Sequence, residues 1–392
     1  MRWSIVPALS IALPLAGQWW MPMADFPGTA RDDAAVFHSY DKIYVGTGME
    51  VGWGLTNDWY AYSMATEEWE PVAPLPAGPR QYCSGFKLGD ERGYLFGGLD
   101  DNGPLSELWR YDPLTDTWTQ RASLPAAGRY AASVITTWDH AYVCGGMLAN
   151  GEPTNEVWRY DHASNTWSPR APMPGPPRHR AAVVDNVVAG GADADFNALG
   201  DVHAYNFLAD TWTPSPDLPE PRFGAASAEH MLLCGASALD EFHNTVFSRD
   251  WITGEWNSWP IPPFPGGPRK GGVASTQGYL MDIGILFYGL GINGQDRYKD
   301  WWMLVYGTGV AETTAQQLRV YPNPASANLH LLLPDHWPGV VYRILDTTGR
   351  EVMAGHYVAG GGIGIESLAP GRYAIDLEQD GDRLRASFIK LP

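Results

Sequence analysis

Cysteine is scarce, with three thiols, Cys83, Cys144 and Cys234, in 392 residues. An odd count this small excludes a disulfide framework, and buried free thiols are expected instead. Cys144 and Cys234 read as one repeat position, just before a glycine. Charge is sparse too, at 18% of residues, and it runs acidic, to a net −18. A surface of that sign repels phosphate backbones and excludes nucleic acid as an expected partner. Residues 313–392 hold 8 acidic and 7 basic side chains, so nearly all of the excess lies before them. Beyond residue 17 there is no apolar run long enough to suggest a membrane span. No phosphate-cradling glycine loop and no Ser-His-Asp signature occurs. The ten histidines show no metal-ligand spacing, so neither a metal nor a cofactor is expected. The stretch DADFNALGD, Asp193 to Asp201, spaces oxygens like part of a calcium loop. Ala198 stands where that loop needs glycine and no glutamate closes it, so a solvated acidic loop is expected.

Glycine (44), proline (32) and tryptophan (18) are abundant, which is turn-rich β composition. WRYDPLTDTW at 109–118 returns as WRYDHASNTW at 158–167. A tyrosine leads a tryptophan by seven residues at Tyr62/Trp69, Tyr111/Trp118, Tyr160/Trp167 and Tyr205/Trp212, and a worn copy ends at Trp256. A period between 40 and 50 residues marks a repeat architecture. Each unit opens with an arginine and an apolar run. A second run ends in glycines, as at Gly97–Gly98, Gly145–Gly146 and Gly190–Gly191. A variable loop, an aromatic run, a turn and a Trp run follow. Four short runs bounded by Gly, Pro and Asp predict four antiparallel strands per unit.

That order of Arg, Gly-Gly, Tyr and a Trp seven later resembles the kelch motif. The resemblance covers residues 18–306 and implies an all-β fold, a β-propeller of four-stranded blades. Later units depart from the pattern: Val202-His203 replaces the aromatic pair, two lose the diglycine, and the last stops after its third strand. QWWMPMADFP, residues 18–27, supplies the missing Trp strand, which predicts six blades closed by the N-terminal strand.

Residues 1–17 have an arginine, an apolar run and small Ala16 and Gly17, the grammar of a signal peptide. Residues 307–317 read as a linker. In 318–392, Tyr321-Pro322-Asn323-Pro324, then Asp346 with Gly349-Arg350, then Pro370-Gly371-Arg372-Tyr373 occur in order. They resemble the type A C-terminal sorting domain of the bacterial type IX secretion system, and alternation there predicts a small Ig-like β-sandwich. The resemblance implies export through the periplasm, with the type IX machinery as partner of residues 318–392. The passenger would then be secreted or held at the outer cell surface.

Arg31, Arg80, Arg129, Arg178, Arg222 and Arg269 open the six units. In a propeller they would ring one channel mouth. The variable loops share that face, carrying Glu50, Trp53, Asp100, Asp101, Asp193, Asp195, Asp240, Glu241 and Asp296. They end in an acid at Asp58, Glu107, Glu156, Asp201 and Asp300. The favoured role for the ring is structural, each arginine pairing with its acid; the other is binding of a carboxylate, phosphate or acidic sugar. Thr245 replaces the acid in the fifth unit, so Arg222 is expected to be the unpaired one. The expected function is binding of an extracellular glycan or protein through the loop face, favoured over catalysis. The alternatives are a mutarotase-like enzyme for an acidic sugar, using Arg178-His179-Arg180, or an exported scaffold without a small ligand.

Overall fold

The computed structural model describes residues 19–250, 252–257, 261–280, 283–307, 319–321, 325–332, 339–346, 350–358, 361–379 and 382–390. The expected signal peptide, nearly all of the expected linker, and Pro322–Pro324 and Gly349 lie outside them. The described residues form strands and turns without a helix. The chain divides into two units, Met1–Thr308 and Gly309–Pro392.

The seven-residue interval is a hairpin. Tyr62, Tyr111, Tyr160 and Tyr205 are the cross-strand partners of Trp69, Trp118, Trp167 and Trp212. Their rings meet at 4.8–5.0 Å between centroids. At the turn, Asp116, Asn165 and Asp210 take φ of 52°, 56° and 53°, a left-handed conformation that Asn and Asp tolerate. Each also accepts a hydrogen bond from the hairpin's tyrosine hydroxyl, at 2.6–2.9 Å.

Two inner strands complete each sheet. The first sheet is Ala35–Ser39, Lys42–Gly46, Trp59–Ser63 and Glu68–Val72; the second is Ser84–Lys87, Gly93–Phe96, Leu108–Asp112 and Thr117–Arg121. The third is Ser133–Thr136, His140–Cys144, Val157–Asp161 and Thr166–Arg170; the fourth is Ala182–Val184, Val187–Ala189, Val202–Asn206 and Thr211–Ser215. The fifth keeps three strands, Ala226–Ala228, Met231–Leu233 and Val246–Ser248, and its worn Trp segment joins by one bridge, Arg249 to Trp256. The sixth combines Val273–Leu280, Ile283–Gly289 and Trp301–Gly307 with Trp19–Pro22 from the other end of the unit.

The indole N–H of each repeat's Trp-run tryptophan reaches a carbonyl of the preceding repeat. Trp69, Trp118, Trp167, Trp212 and Trp256 donate to Ala24, Ala73, Ala122, Ala171 and Pro216, and Trp20 donates to Pro262, all at 2.7–3.1 Å. Trp20 thus takes the role that the sixth repeat's own sequence leaves empty. Ile43, Val45 and Tyr62 of the first sheet share a core with Phe287, Trp301 and Met303 of the sixth. Burial of side chains this size contributes about 1.5–3 kcal/mol each. The innermost strands of all six sheets surround a channel of about 460 Å³, lined by Val36, Ser84, Ser133, Val183, Ser227 and Ser275 among others.

The second unit has a three-stranded sheet, Arg319–Tyr321, Asn328–Leu332 and Ile363–Gly364. Its four-stranded sheet runs Glu351–Val358, Gly339–Leu345, Gly371–Gln379 and Asp382–Lys390. Leu329, Leu331 and Ile363 of the first meet Val340, Ile344, Ile375, Leu377 and Phe388 of the second in one core. The Asp346/Arg350 motif is a hairpin end, with an ion pair at 3.2 Å and a backbone hydrogen bond at 2.9 Å.

Candidate functional site

The six repeat arginines are buried, at 0–2% exposure. Five meet the acid expected from the sequence. Arg31 binds Asp58 through both carboxylate oxygens at 2.5 and 3.0 Å, and Arg178 binds Asp201 likewise at 2.8 and 2.5 Å. Arg80, Arg129 and Arg269 meet Glu107, Glu156 and Asp300 at 2.9, 2.7 and 2.6 Å. Planar guanidinium–carboxylate pairs of this kind fix geometry as well as charge. The Arg129 hydrogen bond holds Glu156 below the usual carboxylate range. At Asp201 burial works upward, but Arg178 overrides it and the net displacement is downward.

The acids are oriented in turn from the next outward side chain on their strand. Trp109, Trp158 and Trp302 donate indole N–H groups to Glu107, Glu156 and Asp300 at 2.9–3.0 Å. In the fourth repeat His203 Nε2 lies 2.8 Å from Asp201, so the histidine that interrupts the aromatic pair performs the same task.

Arg222 departs from expectation. It is not free: Nη2 donates to Glu220 at 2.5 Å and to Thr245 at 3.2 Å. The missing loop acid is replaced by one two residues before the arginine, a position at which no other repeat carries an acid.

The backbone of these arginines closes a ring. In each repeat the residue pair after the second strand has positive φ. The first place accepts Thr47, Cys234 and Leu290 as well as glycine, whereas the second is always glycine, at φ of 91–106°. The diglycine is therefore only half lost in the later repeats. Cys234 sits at that first place, one position on from Cys144, which corrects their assignment to one position. Cys83 is half-buried, unlike the other two thiols. The glycine N–H then donates to the carbonyl of the next repeat's arginine. Gly48, Gly98, Gly146, Gly191 and Gly235 reach Arg80, Arg129, Arg178, Arg222 and Arg269, and Gly291 returns to Arg31, at 2.7–3.1 Å.

A second ring lies two residues further on. Asp33, Tyr82, Ala131, Arg180, Gly224 and Gly271 all have φ of 51–65°. Each donates its N–H to the carbonyl of the one before, and Asp33 donates to Gly271, at 2.8–3.1 Å. Between the rings, Asp32, Gln81, Tyr130, His179, Phe223 and Lys270 pair with the starts of the variable loops, at Met49, Leu99, Met147, Ala192, Ala236 and Ile292. The backbone frame is the same six times, yet the side chains between the rings differ at every step.

Sequence reading stopped at the arginines and missed most of these neighbours, although constant spacing from each arginine marks them. They converge. The Arg180 guanidinium lies 4.2 Å from the Tyr82 ring centroid and 3.6 Å from Asp33 across the ring. Arg297 pairs with Asp32 and covers the Trp53 ring at 4.6 Å. Arg180 Nε and Nη1, Arg297 Nη2 and Asp33 Oδ2 are buried without a hydrogen bond among the described residues. Burial, and then the Asp33 carboxyl beside it, pushes Asp32 up to about 7. Burial also pushes Tyr82 up and Lys270 down, and it lowers His179 to about 4 with Arg180 assisting. Tightly grouped ionisable side chains with displaced proton affinities are a mark of functional sites.

Trp53 is 67% exposed at this mouth. In the calcium-like loop, Asp193 instead accepts hydrogen bonds from the backbone N–H groups of Asp195 and Asn197 and from the Asn197 side chain, at 2.9–3.0 Å. Among the described residues no group of three or more His, Cys, Asp or Glu is placed to hold a metal.

With this geometry in view, comparison defines the class. Residues 17–188 match the KLHDC2/KLHL20/DRC7 Kelch-repeats domain, and residues 319–390 match the Secretion system C-terminal sorting domain. The chain thus carries a match to a kelch-repeat domain followed by one to a type IX sorting tail, and its described residues are all-β. That tail points to export and a secreted or cell-surface location, and it implies contact with the type IX machinery. A solved structure described as "Structure of YjhT" is similar in fold, with a TM-score of 0.60 at 16% identity over 71% of this chain and 95% of that one. No curated protein matches the sequence. The kelch match ends inside the fourth repeat, but the arginine clamps and both backbone rings continue through the sixth.

Proposed function

We propose that residues 18–306 form a six-bladed kelch propeller that binds a glycan or protein outside the cell through its loop face. Residues 1–17 act as the signal peptide, 307–317 as the linker, and 318–392 as the Ig-like sorting domain that brings the passenger to the surface or the medium. The pairing of Trp19–Pro22 with Trp301–Gly307 supports closure by the N-terminal strand.

One observation carries the reading: six buried arginines, five of them clamped to a loop acid, hold six unlike loops. A frame repeated six times, with six unlike side chains between its rings, suits recognition better than symmetric scaffolding. Buried pairs make the arginines the rigid base of the face, and the ligand meets the side chains they position. Arg31, Arg80, Arg129, Arg178, Arg222 and Arg269 in this reading act on binding through the loops.

The test is a glycan array probed with the full chain and with Trp53→Ala. Retention of a defined glycan set, weakened in the variant, is the expected result. Retention unaffected by Trp53→Ala and by a second loop change, Asp100→Ala with Asp101→Ala, would move binding off this face. The convergent Asp32, Asp33 and Arg180 group keeps the enzymatic reading as the second one, tested by turnover of whatever ligand the array identifies.

A further inference from the structure

The channel has two unlike ends. On the loop side, the Asp33–Arg180 pair reaches across the second backbone ring at 3.6 Å, with both side chains more than nine-tenths buried. The channel lining begins below that pair, at Ala132, Ala181 and Ala225. Among the described residues the opposite end is open, and Thr136 and Asp185 there are exposed.

The wall is layered by the repeat. Residues five after each repeat arginine are Val36, Gly85, Val134, Val183, Ser227 and Ala274, and all line the channel. Residues seven after it are His38, Lys87, Thr136, Asp185, Glu229 and Thr276, which form its far rim. A strand places i and i+2 on one face, so both layers look inward. The inner layer is nearly apolar. The wall hydroxyls of Ser84 and Ser133 are spent on the carbonyls of Ala132 and Ala181, at 2.8 Å, and Ser227 accepts the Val183 N–H at 3.2 Å. The outer layer is polar in all six repeats.

Charge on the rim is uneven. Lys87 is held by both Glu91 oxygens, at 3.0 and 3.1 Å. Burial, and then Lys87, lowers the proton affinity of His38 and keeps its imidazole neutral. Asp185 and Glu229 stand on neighbouring repeats, joined by the Asp185 N–H to the Glu229 carbonyl at 3.2 Å. Arg249 pairs with Asp185 at 3.2 Å, with His230 close by, while Glu229 accepts only neutral hydroxyls among its printed hydrogen bonds, from Thr276 at 3.0 Å and Tyr306 at 3.2 Å. A carboxylate has about four acceptor sites, so Glu229 keeps capacity for a further donor. Burial raises the proton affinity of Asp185, with Glu229 among the lesser causes, and an adjoining cation would oppose that shift.

We propose that the channel is a blind pocket for a primary amine with an apolar body, entered from the face opposite the variable loops, with the ammonium on Asp185 and Glu229 and the body against Val36, Val134 and Val183. Its volume of about 460 Å³ lies in the range of small-molecule sites. A second ammonium at the closed end would be buried among apolar groups without a partner, so a diamine is disfavoured. The site shares no residue with the loop face, and it goes beyond the reading above rather than resting on it.

The probe is n-hexylamine, titrated calorimetrically into the full chain at pH 8, where unperturbed imidazoles are neutral and the amine is charged. 1-Hexanol tests the charge, hexanoate its sign, and 1,6-diaminohexane the closed end. Hexylamine should bind at least about tenfold more tightly than any of the three, the margin of one charge-assisted hydrogen bond. Asp185→Asn should weaken hexylamine about tenfold, and Val183→Trp, which fills the channel without touching the rim, should abolish its binding. Thermal unfolding identifies which variants remain folded, and Glu229→Gln replaces Asp185→Asn if that one does not. No hexylamine binding, equal binding of hexanol, or hexylamine binding unchanged in the folded variants overturns the proposal. Loss of glycan retention on the loop face would leave this pocket standing, and failure of the amine titration would leave the loop-face reading standing.

Discussion

Replacing Arg178 with methionine keeps most of the side chain's length and removes the clamp. Four contacts disappear: two to Asp201, at 2.8 and 2.5 Å, one to the Gly190 carbonyl at 2.9 Å and one to the Pro176 carbonyl at 3.3 Å. Removing one partner of a fully buried ion pair costs about 3–5 kcal/mol. Asp201 is 32% exposed and retains His203, so it can rehydrate, and the figure falls to about 2 kcal/mol. The orphaned Gly190 carbonyl adds about 1 kcal/mol. With an unfolding entropy near 0.6 kcal/mol per degree for a unit of this size, a loss of about 3 kcal/mol lowers the melting temperature by about 5 °C. Arg222→Met should cost less, about 1 kcal/mol, because its partner Glu220 is 57% exposed and pairs through a single nitrogen. Tryptophan fluorescence during thermal unfolding reads both variants. An Arg178→Met melting temperature within 1 °C of the parent, or a larger loss for Arg222→Met, refutes the view that the clamps hold the face.

Other consequences follow from single contacts. Trp20→Phe removes the indole bond to Pro262 while keeping an aromatic ring, and should lower the urea midpoint by the equivalent of about 1–2 kcal/mol; no change would detach this strand from the closure. Asp32 gives stability a pH dependence. Its folded-state affinity for a proton is raised, to about 7 against 3.8, so the protonated form favours folding below the unfolded value and that contribution is lost as pH rises through 7. Each tenfold change in proton affinity is worth about 1.4 kcal/mol, which sets a ceiling of about 4 kcal/mol. Urea midpoints should fall between pH 5.5 and pH 8, and Asp32→Asn should flatten that slope; an equal slope in both proteins contradicts the assignment. Burial pushes Cys83 and Cys234 up to about 12 and Cys144 higher still, so all three thiols should resist Ellman's reagent at pH 8 until urea is added.

The sequence made the repeating parts legible because each has a fixed spacing. A seven-residue interval admits a hairpin that sets Tyr111 opposite Trp118, and the absent last Trp strand pointed to Trp20. Five arginine–acid pairs were readable because the acid falls in one slot per repeat. Glu220 was not, since it precedes its arginine and no other repeat has an acid at that place. The mouth cluster was harder for the opposite reason. Asp33, Tyr82 and Arg180 hold one backbone position at constant spacing from the arginines, but they share no residue type, and their meeting depends on ring closure. The one-place offset between Cys144 and Cys234 hid behind a glycine pair whose first member is replaceable and whose second is not.

Central to this account is that ligand meets the loops held by the six clamps. Hydrogen–deuterium exchange of the full chain, with and without the glycan it retains most strongly, tests that most directly. The account predicts slowed exchange in segments 48–56, 98–105, 146–154 and 191–199, which begin at the ring glycines. Protection confined instead to the hairpin turns 112–116, 161–165 and 206–210, with those loops unchanged, would contradict it.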